Sequence, residues 1–276
     1  MLHRIDERDL EAAARVLARA MIGYPVFTYL VSDQSPGSNG PSFNRGSPCL
    51  DRSANRPEAL LRRTDKTKNP MIESKWIVLA RHGPSSVSLR GRIAGNRLGE
   101  LVNQMQNSGI ADHSEPPSEA CALAQAAGIL VSSDLARSRQ SAGLLVPEKP
   151  ALSESVFREA EVPTSFFGSI VLQASTWIVL ARALWHFRAW PEVESRKAAR
   201  ARARDAATRL EELADQYRTV FLVGHGYFNH LIAAELRRRG WRGPRFPAKR
   251  NWGSSRYWRR VGAVPDDTWQ GTAQEI

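Results

Sequence analysis

Three short apolar runs, separated by stretches with helical periodicity, are the feature that most constrains the fold of this chain. They lie at residues 76–80, 128–131 and 219–223. Short, nearly continuous apolar runs are typical of strands that are buried on both faces of a parallel sheet. Helical periodicity occupies residues 192–217 and again residues 227–239. Strands that alternate with helices predict a three-layer α/β/α fold with a mostly parallel sheet.

The N-terminal part of the chain differs from the rest in composition and in hydrophobic periodicity. Residues 9–21 have the spacing of an amphipathic helix, which Asp9 can cap. Between residues 34 and 70, 17 of 37 residues are Pro, Gly, Ser or Asn, so this segment buries too little apolar surface to offset its ordering entropy. The predicted organisation is a helical fragment at 1–32, a disordered linker at 33–72 and a folded domain at 73–276.

The basic surplus of the chain is concentrated in one segment. There are 39 Lys and Arg residues against 28 Asp and Glu, a formal net charge of +11 that raises the question of a polyanionic partner. Residues 181–260 hold 19 basic and 7 acidic residues and so supply the whole surplus. The arginine run at 196–204 is predicted to be the solvated face of a helix. Since no nucleic-acid motif accompanies it, we expect no nucleic-acid partner.

The most apolar stretch, residues 166–187, is interrupted by Arg182, His186 and several smaller polar residues. A membrane-spanning helix needs about 20 predominantly apolar residues, so this stretch predicts a buried or interfacial helix with no membrane span. The N-terminus is charged and lacks the apolar core of a secretory signal. We therefore expect a cytoplasmic protein. With only two cysteines, a disulfide-rich scaffold and a four-cysteine zinc site are excluded.

A polar cluster follows each of the three predicted strands. The first contains Arg81 and His82, the second Arg137, and the third His225. Because ligands bind beyond the carboxyl ends of the strands in an open α/β sheet, we expect these four side chains to meet at one edge. The helix after His225 adds backbone N–H donors that favour an anion. Two guanidinium groups and two imidazoles suit a phosphoryl group.

The three clusters resemble the signature blocks of the histidine phosphatase superfamily, which includes the cofactor-dependent phosphoglycerate mutases. The blocks are Arg81-His82-Gly83, residues 132–142 and residues 223–226. Their order fits, as does their spacing of 55 residues from His82 to Arg137 and 88 more to His225. The resemblance covers about residues 73–276 and implies a phosphoglycerate mutase-like fold.

The resemblance also implies a function and roles for individual residues. It implies a phosphomonoester hydrolase in which His82 attacks phosphorus as a neutral imidazole and forms a phosphohistidine intermediate. Arg81, Arg137 and His225 are then expected to hold the phosphoryl oxygens, with Gly83 allowing close backbone approach. The expected partner is a small phosphorylated substrate. This mechanism needs neither a metal nor a cofactor.

The remaining catalytic group implied by the resemblance is a carboxylic acid that protonates the leaving oxygen. Glu159, in the context Phe157-Arg158-Glu159, matches the family pattern best, and Glu161 competes with it. Many family members have an asparagine six residues after the nucleophile, where this chain has Ser88. A serine hydroxyl can still donate one hydrogen bond to phosphate.

The segment at 166–190 departs from the family pattern and leaves the substrate open. Mutases and sugar-phosphate phosphatases commonly have a glycine-tryptophan-glutamate-glycine stretch there, whereas this chain is apolar and aromatic. The segment is expected to form a hydrophobic lid. A phosphoryl-transferring mutase and a non-catalytic phospho-ligand binding module are the alternative functions, and the oligomeric state is left open.

Residues 5–27 resemble the opening of a GNAT-type acetyltransferase. The resemblance spans only about 30 residues and lacks the glycine-containing loop that binds the pyrophosphate of acetyl-CoA. We interpret it as a fragment or a chance amphipathic helix, in either case without acetyltransferase activity.

Overall fold

The computed structural model describes residues 74–165, 168–187 and 190–261. The helical fragment and linker predicted at 1–32 and 33–72, and with them the acetyltransferase-like stretch, lie outside the described residues. The strands are β1 (Ser74–Arg81), β2 (Arg92–Ala94), β3 (Ile129–Ser133), β4 (Leu152–Glu154), β5 (Val171–Gln173), β6 (Thr219–Gly224) and β7 (Ser254–Arg260). The α-helices are α1 (Leu98–Asn107), α2 (Ser118–Ala126), α3 (Ala136–Leu145), α4 (Ala174–Phe187), α5 (Arg196–Tyr217) and α6 (Gly226–Arg238).

Five strands form the central sheet, in the order β4-β3-β6-β1-β7. The pairs β4–β3, β3–β6 and β6–β1 are parallel, and only the edge strand β7 is antiparallel to its neighbour. The three apolar runs of the sequence are the three central strands. Their carboxyl ends therefore lie side by side along one edge of the sheet.

Alternate residues of each central strand face two different helical layers. In β1, Ile77 and Leu79 pack in one core with α5 and α6, and Val78 and Ala80 pack in another with α2 and α3. All four are fully or almost fully buried. The mostly parallel sheet and the three-layer α/β/α arrangement predicted from the sequence are confirmed.

Helix α5 begins at Arg196, after an N-cap in which the Ser195 hydroxyl accepts the Ala198 N–H at 3.1 Å. The apolar face predicted for this helix is buried along most of its length, at Ala203, Ala207, Leu210 and Ala214. Tyr217, predicted to share that face, is instead 39% exposed. It is the last residue of the helix, where the chain turns towards β6 and leaves the packed face.

A small cap lies beside the main sheet. The antiparallel pair β2–β5 packs with α1 and α4 around a separate core of Leu98, Leu172, Trp177 and Ala181. The Trp177 indole donates to the Ile93 carbonyl at 3.0 Å, which fastens α4 to β2. Within the described ranges, no helix combines the length and apolar character that crossing a membrane requires.

Candidate active site

The carboxyl ends of β1 and β6 bring the two sequence-predicted histidines together. His82 directly follows β1 and His225 directly follows β6, and their ring centroids are 5.1 Å apart. Arg137 enters from the first turn of α3, which follows β3, and it hydrogen-bonds to both imidazoles. The sheet topology thus joins groups that are 55 and 88 residues apart in the chain.

The ring of His82 is held between a carbonyl and a guanidinium. Its Nδ1 lies 2.6 Å from the Gly83 carbonyl oxygen, and Arg137 Nε donates to its Nε2 at 3.2 Å. A guanidinium can only donate, so we assign the proton to Nδ1 and the lone pair to Nε2. Burial, followed by the charges of Arg137 and Arg81, holds the pKa of His82 well below its usual range. His82 is therefore a neutral imidazole at neutral pH.

His225 is completely buried and has hydrogen-bond partners at both ring nitrogens. Nδ1 faces Arg137 Nη2 at 3.3 Å, and Nε2 faces the hydroxyls of Ser133 at 2.8 Å and Ser138 at 3.3 Å. Burial is the main cause of a pKa well below the usual histidine range, and Arg137 and His82 lower it further. Because the guanidinium can only donate, Nδ1 of His225 is the acceptor and Nε2 carries the proton, which it donates to the Ser133 hydroxyl.

The two arginines of the site are anchored by backbone carbonyls. Arg137 is only 6% exposed, and its Nη1 donates to the Met105 carbonyl of α1 at 2.5 Å. Arg81 is half-buried, and its Nη1 donates to the Lys249 carbonyl at 2.5 Å. Both positive groups are thus fixed near His82, where they favour an anion.

Both backbone polar groups of Gly83 are hydrogen-bonded within the protein. Its N–H donates to the Ser141 hydroxyl at 2.9 Å, so this donor points into the protein. Its carbonyl orients the His82 ring. A Cβ at this position would overlap the indole of Trp252. The glycine therefore allows the loop before β7 to pack against the end of β1.

That loop also contacts the backbone of the site from far along the chain. Asn251 Nδ2 donates to the His82 carbonyl at 2.9 Å, and the Trp252 N–H donates to the Arg81 carbonyl at 3.1 Å. Sequence reasoning missed both residues, as well as Ser133, Ser138 and Ser141. The serines lie within the second motif block, which was the available signal, whereas nothing in the sequence marks Asn251.

The two candidate acids occupy different surroundings. Glu159 is half-buried at the start of α6: its Oε2 accepts the Tyr227 N–H at 3.2 Å, and its Oε1 accepts the Phe228 N–H at 2.9 Å. Glu161 is exposed, and its Oε2 accepts the Glu194 N–H at 2.8 Å. Of the two acids, only Glu159 accepts N–H bonds from residues two and three positions after His225.

Ser88 lies in the loop after β1, on an exposed part of the site. Its hydroxyl accepts the Arg90 N–H at 3.2 Å and so closes a local turn. It lines the same cleft as Arg81, His82 and Arg137. The cleft has a volume of about 1270 Å³ and is also lined by Glu159 and by residues of α1 and α4 in the cap.

Replacing Gly83 by alanine should lower the free energy of unfolding by about 1–3 kcal/mol, since the new methyl group meets the buried Trp252 ring. Gly143 is the matched control: it lies in the interior of α3 with open space around its Cα. Gly143→Ala should raise stability by about 0.5–1 kcal/mol through helix propensity. Urea denaturation of both variants measures the difference, and equal stabilities would contradict the described packing.

The sheet topology and the motif-bearing strand ends define a class of protein. A model of the histidine phosphatase superfamily matches residues 77–254, which is more than half of the chain. The chain therefore belongs to the histidine phosphatase superfamily. The matching model is that of branch 1 of the superfamily. A search of curated proteins finds no match.

Solved structures of phosphatases are similar to part of this chain. Mycobacterial glucosyl-3-phosphoglycerate phosphatase, in complex with VO3, is 20% identical; the match covers 68% of this chain and 97% of that one, with a TM-score of 0.45. Phosphoserine phosphatase from Entamoeba histolytica, in complex with 3-phosphoglyceric acid, is 19% identical; the match covers 58% of this chain and 79% of that one, with a TM-score of 0.40.

Proposed function

We propose that this protein is a phosphomonoester hydrolase that works through a phosphohistidine on His82. The observation that carries the proposal is the arrangement of Arg137 between His82 and His225, with His82 Nε2 as the acceptor of its hydrogen bond. A neutral imidazole with an oriented lone pair is a nucleophile, and a guanidinium beside it can take the oxygens of the group under attack.

In the first step, His82 Nε2 attacks phosphorus, the new N–P bond forms, and the P–O bond to the leaving group breaks. The hydrogen bond from Arg137 Nε passes from Nε2 to a phosphoryl oxygen, so the donor follows the charge as it develops. Arg81 binds a remaining oxygen. His225 binds another once its proton has moved from Nε2 to Nδ1, with the Ser133 and Ser138 hydroxyls then donating to Nε2. The Gly83 carbonyl keeps the proton on His82 Nδ1 and stabilises the phosphorylated ring.

Glu159 supplies the proton that the leaving oxygen needs. Its Oε1 accepts two N–H bonds, from Phe228 and Ala160, whereas Oε2 accepts one, so Oε2 is the oxygen that can carry a proton. In the second step, the Glu159 carboxylate takes a proton from water as the water oxygen attacks phosphorus. The N–P bond breaks, inorganic phosphate leaves, and His82 returns to its neutral form.

The test of this proposal is hydrolysis of p-nitrophenyl phosphate, followed both by nitrophenol absorbance and by release of inorganic phosphate. We expect the two products in equal amounts and inhibition by vanadate, which mimics the pentacoordinate phosphorus. If no turnover were detected at any pH tested from 5 to 8, the proposed activity would be contradicted.

Replacing Glu159 by glutamine should have an effect that depends on the leaving group. Against an alkyl phosphate, which needs a proton on its leaving oxygen, we expect kcat to fall by about 10²–10⁴-fold. Against p-nitrophenyl phosphate, whose leaving group needs little help, the loss should be much smaller. Glu161→Gln is the matched control and should resemble the wild type with both substrates. A larger loss at Glu161 would move the acid to that residue.

A further inference from the structure

The cleft has two chemically different parts. One part carries the polar groups of the site, which are the His82 imidazole, the Arg137 guanidinium and the Glu159 carboxyl group. The walls that lead away from it are formed by the loop after β1, by α1, by the segment after Glu159 and by α4. Their apolar side chains are Leu89, Val102, Met105, Val162, Ile178 and Val179.

These apolar side chains are neither core residues nor isolated surface residues. All six are half-buried, so the cleft leaves part of each in contact with solvent. Val102, Val162 and Ile178 also pack against the core of the cap, which fixes their positions. A ligand that fills the cleft removes this apolar surface from water, which favours binding.

Besides Arg81 and Arg137, the cleft is lined by Arg90, which is exposed, and by three further arginines that the protein holds in place. Two of these three are paired with carboxylates. Arg158 donates to both oxygens of Asp134 at 2.7 and 2.6 Å. Arg202 donates to both oxygens of Glu194 at 2.8 and 2.7 Å. A second anionic group on a ligand would have to break one of these bidentate pairs to gain either guanidinium.

A third guanidinium, that of Arg182, is likewise held by the protein. It is only 3% exposed and donates to the carbonyls of Ala160 at 2.6 Å and Glu161 at 2.9 Å. It lies over the ring of Tyr227, with 4.3 Å between the guanidinium carbon and the ring centroid. The two hydrogen bonds fix α4 against the segment that carries Glu159.

We infer that the substrates are phosphomonoesters of hydrocarbon alcohols, with the phosphoryl group at His82 and the alkyl chain along the apolar walls. The inference rests on the proposed hydrolase function and adds the class of leaving group to it. The cleft volume of about 1270 Å³ exceeds the range of about 300–1000 Å³ found for most small-molecule sites, so it has room for an extended chain.

The test compares kcat/KM for n-alkyl phosphates from ethyl to octyl, below their micellar concentrations, with glycerol phosphate as the polar reference. Each added methylene that enters the cleft should raise kcat/KM by about threefold to fourfold. Octyl phosphate is then preferred over glycerol phosphate by orders of magnitude.

A matched pair of variants locates this preference in the cleft. Val179→Thr keeps the shape of a cleft side chain but replaces one methyl group with a hydroxyl, so it should lower the octyl-to-ethyl ratio of kcat/KM by roughly fivefold. Val171→Thr makes the same change on the cap at a residue that is 37% exposed and outside the cleft lining, and it should leave the ratio at the wild-type value.

The outcomes separate this inference from the function on which it rests. Turnover of p-nitrophenyl phosphate combined with a flat chain-length series, or with a preference for glycerol phosphate, overturns the substrate class and leaves the hydrolase in place. Equal octyl-to-ethyl ratios of kcat/KM in the two valine variants overturn the assignment of Val179 to the wall that contacts the alkyl chain. Failure to hydrolyse p-nitrophenyl phosphate overturns the hydrolase itself.

Discussion

Replacing His82 by asparagine should lower kcat for p-nitrophenyl phosphate by at least about 10⁴-fold, because removal of a catalytic nucleophile has effects of that size or larger. Asparagine retains a polar side chain in a buried position but has no lone pair basic enough to form a phosphoenzyme. The rate should be measured by continuous absorbance, with circular dichroism to show that the variant is folded.

His113→Asn is the matched control for this substitution. His113 is exposed and outside the lining of the main cleft, and its φ of 60° is one that asparagine adopts readily. The control should keep the wild-type rate. If a folded His82→Asn protein retained more than a few per cent of wild-type turnover, another group would have to be the nucleophile.

Arg137→Lys should cause the second largest loss, with kcat/KM falling by about 10²–10³-fold, the size expected when a donor to the transition state is removed. The guanidinium contacts His82, His225 and the Met105 carbonyl with three different nitrogens. A lysine ammonium has its three donors on one nitrogen and cannot reproduce that fork. The charge is retained, so the loss measures geometry rather than net charge.

The control for Arg137 lies two residues further along the same helix. Arg139 is exposed, and Arg139→Lys should leave kcat/KM unchanged in the same assay. A second informative measurement is inhibition by vanadate, which should weaken in parallel with kcat/KM for Arg137→Lys. Loss of activity of equal size in both variants would indicate a general effect of the helix rather than a contact at phosphorus.

The parts of the fold that could be predicted from the sequence are those with a long or strong periodic signal. Strands β1, β3 and β6 are buried on both faces and therefore show as apolar runs. Strands β2, β4 and β5 have three residues each, too few for an alternating pattern. Strand β7 carries Arg256, Arg259 and Arg260 around a single buried residue, Tyr257. Because of these charged residues, the sequence does not indicate that this segment is an edge strand.

The candidate site divides in the same way between local and long-range information. The positions of His82, Arg137 and His225 follow from parallel strands whose ends meet, and a sequence can indicate this. The preference for Glu159 over Glu161 depends on N–H groups 68 and 69 residues away at the start of α6. No local pattern records that contact, nor the one between Asn251 and the His82 carbonyl.

The apolar walls of the cleft also required the structure. The sequence indicates an apolar helix near residues 166–187 and predicts a hydrophobic lid. It does not show that Ile178 and Val179 line the cleft whereas Trp177 points into the core of the cap. That division between cleft and core decides which substitutions test the substrate class.

The most direct test of the phosphohistidine mechanism is to trap the phosphoenzyme and map the phosphorylated atom. Wild-type protein mixed with substrate should be quenched with alkaline denaturant, under which phosphohistidine survives, and analysed by peptide mass spectrometry and ³¹P NMR. We predict one phosphoryl group, bonded to Nε2 of His82, and none in His82→Asn. Phosphate on another residue or on Nδ1 of His82 would contradict this mechanism, and so would turnover without any phosphoenzyme.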